Sequence, residues 1–374
     1  ALLVAFAVAI AIGTVILTLP IASAAGSWTH PLTALFTATS AVCVTGLVVV
    51  DTATYWSPLG QLVILTLIQV GGLGFMTGST LLLFVLVGRR TALRDRILVQ
   101  STTGIPELGG VTILVKRILL FTVVAEIIGT IVLTVAFAAN GQPFERAAWW
   151  GVFHAVSAFN NAGTDVTGDF ASLTGFADDA VVLTTIAVLI VLGSLGFAIV
   201  GDALGKRRWV RFALETKLVL GTTAALIVGG ALAIAVFEWS NPATLGGLPA
   251  IQRPFNALFE SISLRTAGFS SIDTGALREA SLFVVMALMF IGGASGSTAG
   301  GIKVNTFVVL LVAIVSTARG EPSAQAFGRR IQHGLIYRAL SVALLSIAFV
   351  FVTGLLLELT TPPDFPFVHV IFES

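Results

Sequence analysis

Long stretches of this chain carry no charged side chain, among them residues 60–88, 180–201, 218–237 and 339–357. A helix needs about 20 mostly apolar residues to cross the hydrocarbon of a bilayer, and each stretch approaches or exceeds that length. Nothing in hydrocarbon bonds a bare N–H or C=O, so only helices and closed barrels span it. A barrel would show alternating segments of about ten residues, and the sequence has none. Charged residues make up 10% of the chain, where a soluble domain carries about 25%. The expected fold class is an all-α polytopic membrane protein. The opening run from Ala1 lacks a basic flank and a clear small-residue cleavage site, so it is expected to be a span and not a signal peptide.

The single cysteine, Cys43, excludes an internal disulfide and a cysteine-rich metal centre, and the four histidines show no metal spacing. Basic residues cluster at Arg89, Arg90, Arg94 and Arg96, at Lys116 and Arg117, at 206–211, and at Arg319, Arg329 and Arg330. Acidic residues such as Asp51, Glu145, Asp165, Asp273 and Glu358 dominate the alternate connections. Basic loops stay in the cytoplasm, which puts the acidic loops outside. There they would concentrate cations, although solvated surface charge is an equally plain account.

One pattern recurs between the basic clusters: a long apolar span, a short amphipathic insert, a small-residue turn and a second span. Internal repeats of this kind decide a fold. The spans lie near 1–20 and 59–88, 112–139 and 180–204, and 214–237 and 281–315. The inserts are 31–47, 147–166 and 253–271. The expected units are 1–96, 97–208 and 209–328. A fourth, 329–374, opens with a span near 335–358 and reaches Ser374 in its own insert.

Each insert ends in a serine-containing stretch and then a triplet closing on glycine: Val44-Thr45-Gly46, Asn161-Ala162-Gly163 and Thr266-Ala267-Gly268. The inserts are too short to cross the membrane, so re-entrant loops are expected. Irregular backbone at membrane depth survives only inside protein or along a watery cavity. A half-helix entering from outside points its partly negative end at the membrane centre. Carbonyls on the return can replace an ion's hydration shell, and glycine admits the torsions that aim them. The triplets hold no charged side chain, which suits a monovalent cation over a multivalent one. Tight extracellular turns are the plainer alternative.

The quoted segments "SAVCVTGL", "SAFNNAGTD", "SLRTAGFS" and "IGGASGSTAGGIK" resemble the Trk/Ktr/HKT superfamily of potassium transporters, with the bacterial Ktr membrane subunit as the nearest pattern. The resemblance runs over essentially the whole chain. It implies four units around one ion path with one filter glycine each, so Gly46, Gly163 and Gly268 imply potassium as the transported ion and no cofactor in this chain. It implies a membrane homodimer in the cell membrane, surrounded by lipid and served by a cytosolic ring of nucleotide-binding subunits. No nucleic acid partner and no enzymatic activity are implied. The fourth filter is expected beyond Ser374. The alternative is a secondary symporter coupling potassium to sodium or protons.

The resemblance also gives a role to the break in the second span of the third unit, where Gly292, Gly293, Ala294, Ser295, Gly296, Ser297, Thr298, Ala299, Gly300 and Gly301 lead to Lys303. In the family such a loop gates the path beneath the filter. Close helix packing through small residues is a rival reading. A phosphate loop is a weaker one, because Lys303 is followed by Val304 and the G-x-x-x-x-G-K-[ST] spacing is not met. Among single residues, Arg265 is expected to turn from the path and pair with Glu260. Glu373 occupies the place matching Glu260. Glu126 is expected to make a polar contact between helices, His154 to pack, and Cys43 to fill a small apolar space. Lys303 is expected either to snorkel or to touch the loop.

Overall fold

The computed structural model describes residues 2–88, 109–321, 323–362 and 366–373. Arg89, Arg90, Arg94, Arg96 and Ser374 lie outside the described residues, as does the side chain of Glu373.

Proline and capping residues set the helix boundaries. Helix α1 (Leu2–Thr18) stops before Pro20, since the residue ahead of a proline avoids helical torsions. Pro31 at the first helical position opens α2 (Pro31–Cys43), where its missing N–H costs nothing. Asp51 caps α3 (Thr52–Tyr55) by accepting the Ala53 N–H at 3.2 Å, a typical N-cap bond. Helix α4 (Pro58–Gly88) follows. The next group is α5 (Gly109–Ala139), α6 (Phe144–Phe159) and α7 (Ala180–Lys206). Asp179 caps α7 through the Val181 and Val182 N–H groups. A third group comprises α8 (Leu214–Glu238), α9 (Arg253–Ser263), α10 (Glu279–Phe290) and α11 (Val304–Ala318). A hairpin of β1 (Gln325–Ala326) and β2 (Arg329–Arg330) leads to α12 (His333–Thr360) and α13 (Phe367–Glu373).

Five of the described helices, α4, α5, α7, α8 and α12, are long and apolar enough to cross a membrane. The short helices α2, α6 and α9 pack between the long ones: α2 on α1 and α4, α6 on α5 and α7, α9 on α8 and α7. Gly151 in α6 lies so near the Thr130 carbonyl of α5 that a methyl group there would press on it. Small residues allow this close approach of helices in lipid.

Burial follows the same plan. Phe153, Ala155, Ala158 and Phe159 of α6 are fully buried, as are Ala34 and Ala38 of α2. Meanwhile Ile127, Ile128 and Ile131 of α5 and Leu345, Phe349 and Phe351 of α12 face outward. Apolar outer faces around buried, more polar short helices suit a protein solvated by lipid.

Two spans depart from regularity. The expected span 281–315 is two helices, α10 and α11, joined by the glycine-rich loop. The expected continuous span over 180–204 kinks at Gly196, whose φ of 73° and ψ of 163° are not helical. The sequence reading took that stretch as unbroken.

Candidate functional site

The three glycine triplets share one backbone form. Val44, Asn161 and Thr266 have φ of 57°, 57° and 69°, and Gly46, Gly163 and Gly268 have φ of 77°, 70° and 79°. Left-handed torsions thus recur at both outer positions of each triplet, at a cost only the glycine escapes. None of the nine triplet carbonyls accepts a hydrogen bond from the described residues. Asn161, Ala162, Gly163 and Ala267 are buried, while the other five triplet residues are half-buried or exposed. Buried carbonyls are nearly always bonded, so carbonyls left without protein donors are open to water or to an ion.

The triplets also meet one another. A methyl at Gly46 would overlap the Ala162 carbonyl oxygen, and one at Gly163 would overlap that of Ala267. Val44, Thr45, Gly46, Gly163, Thr266 and Gly268 line a single cavity of about 1120 Å³. Asp51, Asp165, Asp169, Asp273 and Glu260 also line it, and no lysine or arginine among the described residues does. Low-dielectric walls focus the field of such charges and raise the local cation concentration. At the mouth, the Asp169 N–H donates to Asp51 at 3.0 Å, tying two of the loops together.

Glu260 and Arg265 do not pair as expected. Glu260 accepts the Ser271 N–H at 2.6 Å and the hydroxyls of Ser271 and Ser270 at 3.1 and 3.2 Å. It thereby holds the outward return of the third loop. Arg265 is buried and donates instead to the Gly292 carbonyl at 2.8 Å. The carboxylate already has donors of its own, so the guanidinium is free to reach the glycine-rich loop. Cys43 also departs from expectation. It is exposed and lines the cavity, and does not fill an apolar gap.

The glycine-rich loop is bonded on every side. Gly292 N–H donates to Ile302 O at 3.0 Å and Ile302 N–H to Phe290 O at 2.9 Å, which closes the loop's neck. Ala294 N–H reaches Ser194 O at 2.8 Å, and Thr298 N–H reaches Gly193 O at 3.3 Å. In an unbroken helix those two carbonyls would take the Phe197 and Ala198 N–H groups. The kink at Gly196 offers them to the loop. Upward, Thr298 Oγ1 donates to Phe159 O at 3.1 Å and Asn161 Oδ1 at 3.3 Å, and the Gly300 N–H donates to Thr266 Oγ1 at 3.0 Å. Ser295 N–H is held by Asn305 Oδ1 at 2.9 Å. Lys303 Nζ donates to Ala299 O, a contact within the loop, so it does not snorkel away. Gly300 and Gly301 line the cavity that holds the triplets, while Gly293, Ala294, Ser297, Thr298 and Ala299 are buried.

Behind the second triplet, Glu126 makes the expected polar contact. Gln69 of α4 donates to it at 3.1 Å, and Asn160 at the end of α6 donates to it at 3.1 Å and to Gln69 Oε1 at 2.8 Å. His154 is buried among Phe137, Trp150, Phe153 and Phe269, with Nδ1 at 2.8 Å from Trp150 O. That agrees with a packing role. Sequence reasoning missed Gln69, Asn160 and Gly196. The pair Gly193 and Gly196 within a charge-free run was the one available signal for the kink.

A multi-pass helical membrane protein that folds short helices and their returns around one cation-favouring cavity belongs to the transport class of membrane proteins. The chain belongs to the TrkH family of cation transport proteins, whose model matches residues 3–374. That family consists of cation transporters, not enzymes. The chain is 39% identical to Ktr system potassium uptake protein B of Bacillus subtilis, over 100% of this chain and 82% of that one. It is 39% identical to the potassium/sodium uptake protein NtpJ of Enterococcus hirae, over 95% and 78% of the two chains. The fold matches the crystal structure of the potassium transporter TrkH from Vibrio parahaemolyticus with a TM-score of 0.65, at 18% identity, over 96% of this chain and 72% of that one.

Proposed function

We propose that this chain forms a path for potassium uptake across the cell membrane, with selectivity in the triplets 44–46, 161–163 and 266–268. The observation that carries the proposal is the set of nine carbonyls without donors among the described residues, in three triplets of which six residues line one acid-rimmed cavity. Such carbonyls substitute for hydration water around a monovalent cation. Glycine closes all three triplets, and the relatives named for potassium uptake share the chain almost end to end. The units are 1–96, 97–208, 209–328 and 329–374, with acidic loops outward and basic loops cytoplasmic. The loop 292–301 with Lys303 is the gate, lying under the triplets and bonded to two of them. A homodimer with a cytosolic nucleotide-binding ring is the assembly that the Ktr-type relatives suggest.

A symporter coupled to sodium or protons is not favoured, because such sites use polar side chains between inverted halves and the inserts here repeat in parallel. The test is K+ flux into vesicles holding the purified protein, with Na+ as competitor. K+ entry that Na+ competes with poorly is expected. No K+ entry, or entry that requires a sodium or proton gradient, would refute the proposal.

A further inference from the structure

Each of the three inserts carries a buried serine near the end of its short helix, and all three serines make the same pair of bonds. The backbone carbonyl of Ser40 accepts the Thr45 N–H at 3.0 Å, that of Ser157 accepts the Ala162 N–H at 2.8 Å, and that of Ser263 accepts the Ala267 N–H at 2.8 Å. Each donor is the middle residue of its triplet. The hydroxyls then reach past the glycines. Ser40 Oγ donates to Leu47 O at 2.7 Å, Ser157 Oγ to Thr164 O at 2.6 Å, and Ser263 Oγ to Phe269 O at 2.5 Å. Each acceptor is the residue immediately after the triplet glycine.

The match holds although the spacing does not. Ser40 and Ser157 stand six residues before their glycines, and Ser263 stands five before Gly268. In the third loop the turn is tighter by one residue, and the serine has moved with it. A hydroxyl kept in place across a change of register marks a geometric requirement that general polarity would not impose.

From this repeated geometry we infer that Ser40, Ser157 and Ser263 are positioning residues that set the outer limit of the selectivity filter, an inference that rests on the filter proposed above. Carbonyls facing one axis repel one another when no ion lies between them. Backbone bonding at the middle residue fixes the inner part of each triplet. The hydroxyl turns the next carbonyl back toward the short helix and out of the path. Without it, the Leu47, Thr164 or Phe269 carbonyl swings inward, and the glycine before it loses the anchor that fixes its left-handed torsion. The ring then adapts to a smaller ion. In the first loop Thr45 Oγ1 donates to the same Ser40 hydroxyl at 2.9 Å, so that clasp is doubly held.

The test uses the full chain in vesicles, with Ser40→Ala, Ser157→Ala and Ser263→Ala measured for K+ flux under Na+ competition. Removal of one neutral hydrogen bond should lower the K+ over Na+ preference by about threefold to tenfold per serine. The alanine variants keep shape and should remain folded, as read by a single elution peak. Ser157→Thr keeps the hydroxyl and should retain the parent preference, which a simple packing role for serine does not predict. Gly163→Ser serves as the control for the filter itself. If Gly163→Ser lowers the preference and the folded alanine variants do not, the serine inference is overturned and the filter stands. If neither changes it, the filter proposal fails first. Misfolding of all three alanine variants would also overturn the inference, since it would make the serines determinants of folding and not of ion choice.

Discussion

Gly196 holds the second kinked span against the loop, and its replacement by alanine should release that loop. At φ 73° and ψ 163° the backbone lies in a region open essentially to glycine, where another residue costs on the order of 1–3 kcal/mol. A methyl would also press on the Gly296 carbonyl oxygen of the loop. Both penalties vanish if α7 straightens. Gly193 and Ser194 then give their carbonyls back to the helix, and the Thr298 and Ala294 N–H groups lose their partners. The substitution penalises only the latched form, so the latched-to-released ratio should fall by roughly fivefold to a hundredfold. The released loop is hydrated by the cavity, and the triplets keep their carbonyls. Potassium flux per folded molecule should therefore rise while the K+ over Na+ preference holds. Both are read on one preparation in vesicles, with elution volume as the check on folding. A well-folded Gly196→Ala with unchanged or reduced flux would refute the latch. Removal of Gly296–Gly300 should act in the same direction, and a fall in flux there would favour the packing role for the loop.

Gly46→Ser should reduce potassium preference, because φ is 77° and the new side chain would overlap the Ala162 carbonyl; an unchanged ion ratio would remove Gly46 from the filter. Arg265→Met should raise flux several-fold by freeing the Gly292 carbonyl that the guanidinium holds at 2.8 Å, and unchanged flux would make that bond incidental. Glu126→Ala should lower the thermal unfolding midpoint in detergent, since leaving the Gln69 amide without its acceptor costs about 1–3 kcal/mol, while Asn160 keeps Gln69 Oε1 and Val156 O; a wild-type midpoint would show that the cluster reorganises freely.

The five long spans, the positions of the short helices and the break after Phe290 were legible because hydropathy and glycine content act at the scale of whole segments. The triplet glycines were legible because their torsions admit little else. Tertiary bonds were not. Arg265 and Glu260 look like a pair in sequence, yet Ser270 and Ser271 satisfy the carboxylate and Gly292 takes the arginine. Which partner a buried polar group selects depends on segments far away in the chain, and periodicity carries no trace of them. The kink at Gly196 was hidden in a run whose hydropathy is that of an ordinary span. The serine spacing differs by one residue between loops, so matching by position alone separates groups that geometry unites.

The Gln69–Glu126–Asn160 cluster has a consequence for how the chain is made. Gln69 lies in α4 and Glu126 in α5, so both enter the membrane before α6 and Asn160 are synthesised. Glu126 would face lipid without a polar partner unless an earlier segment waits for it, and the amide of Gln69 is placed to receive it. Asn160 then docks on a pair already formed, carrying the second loop to its depth. The end of α6 is thus seated partly by a residue of α4, and an order of assembly from the N-terminus onward is the expected result. Expressed without residues 1–96, the stretch 97–208 should insert poorly or be cleared, however well its own helices are written.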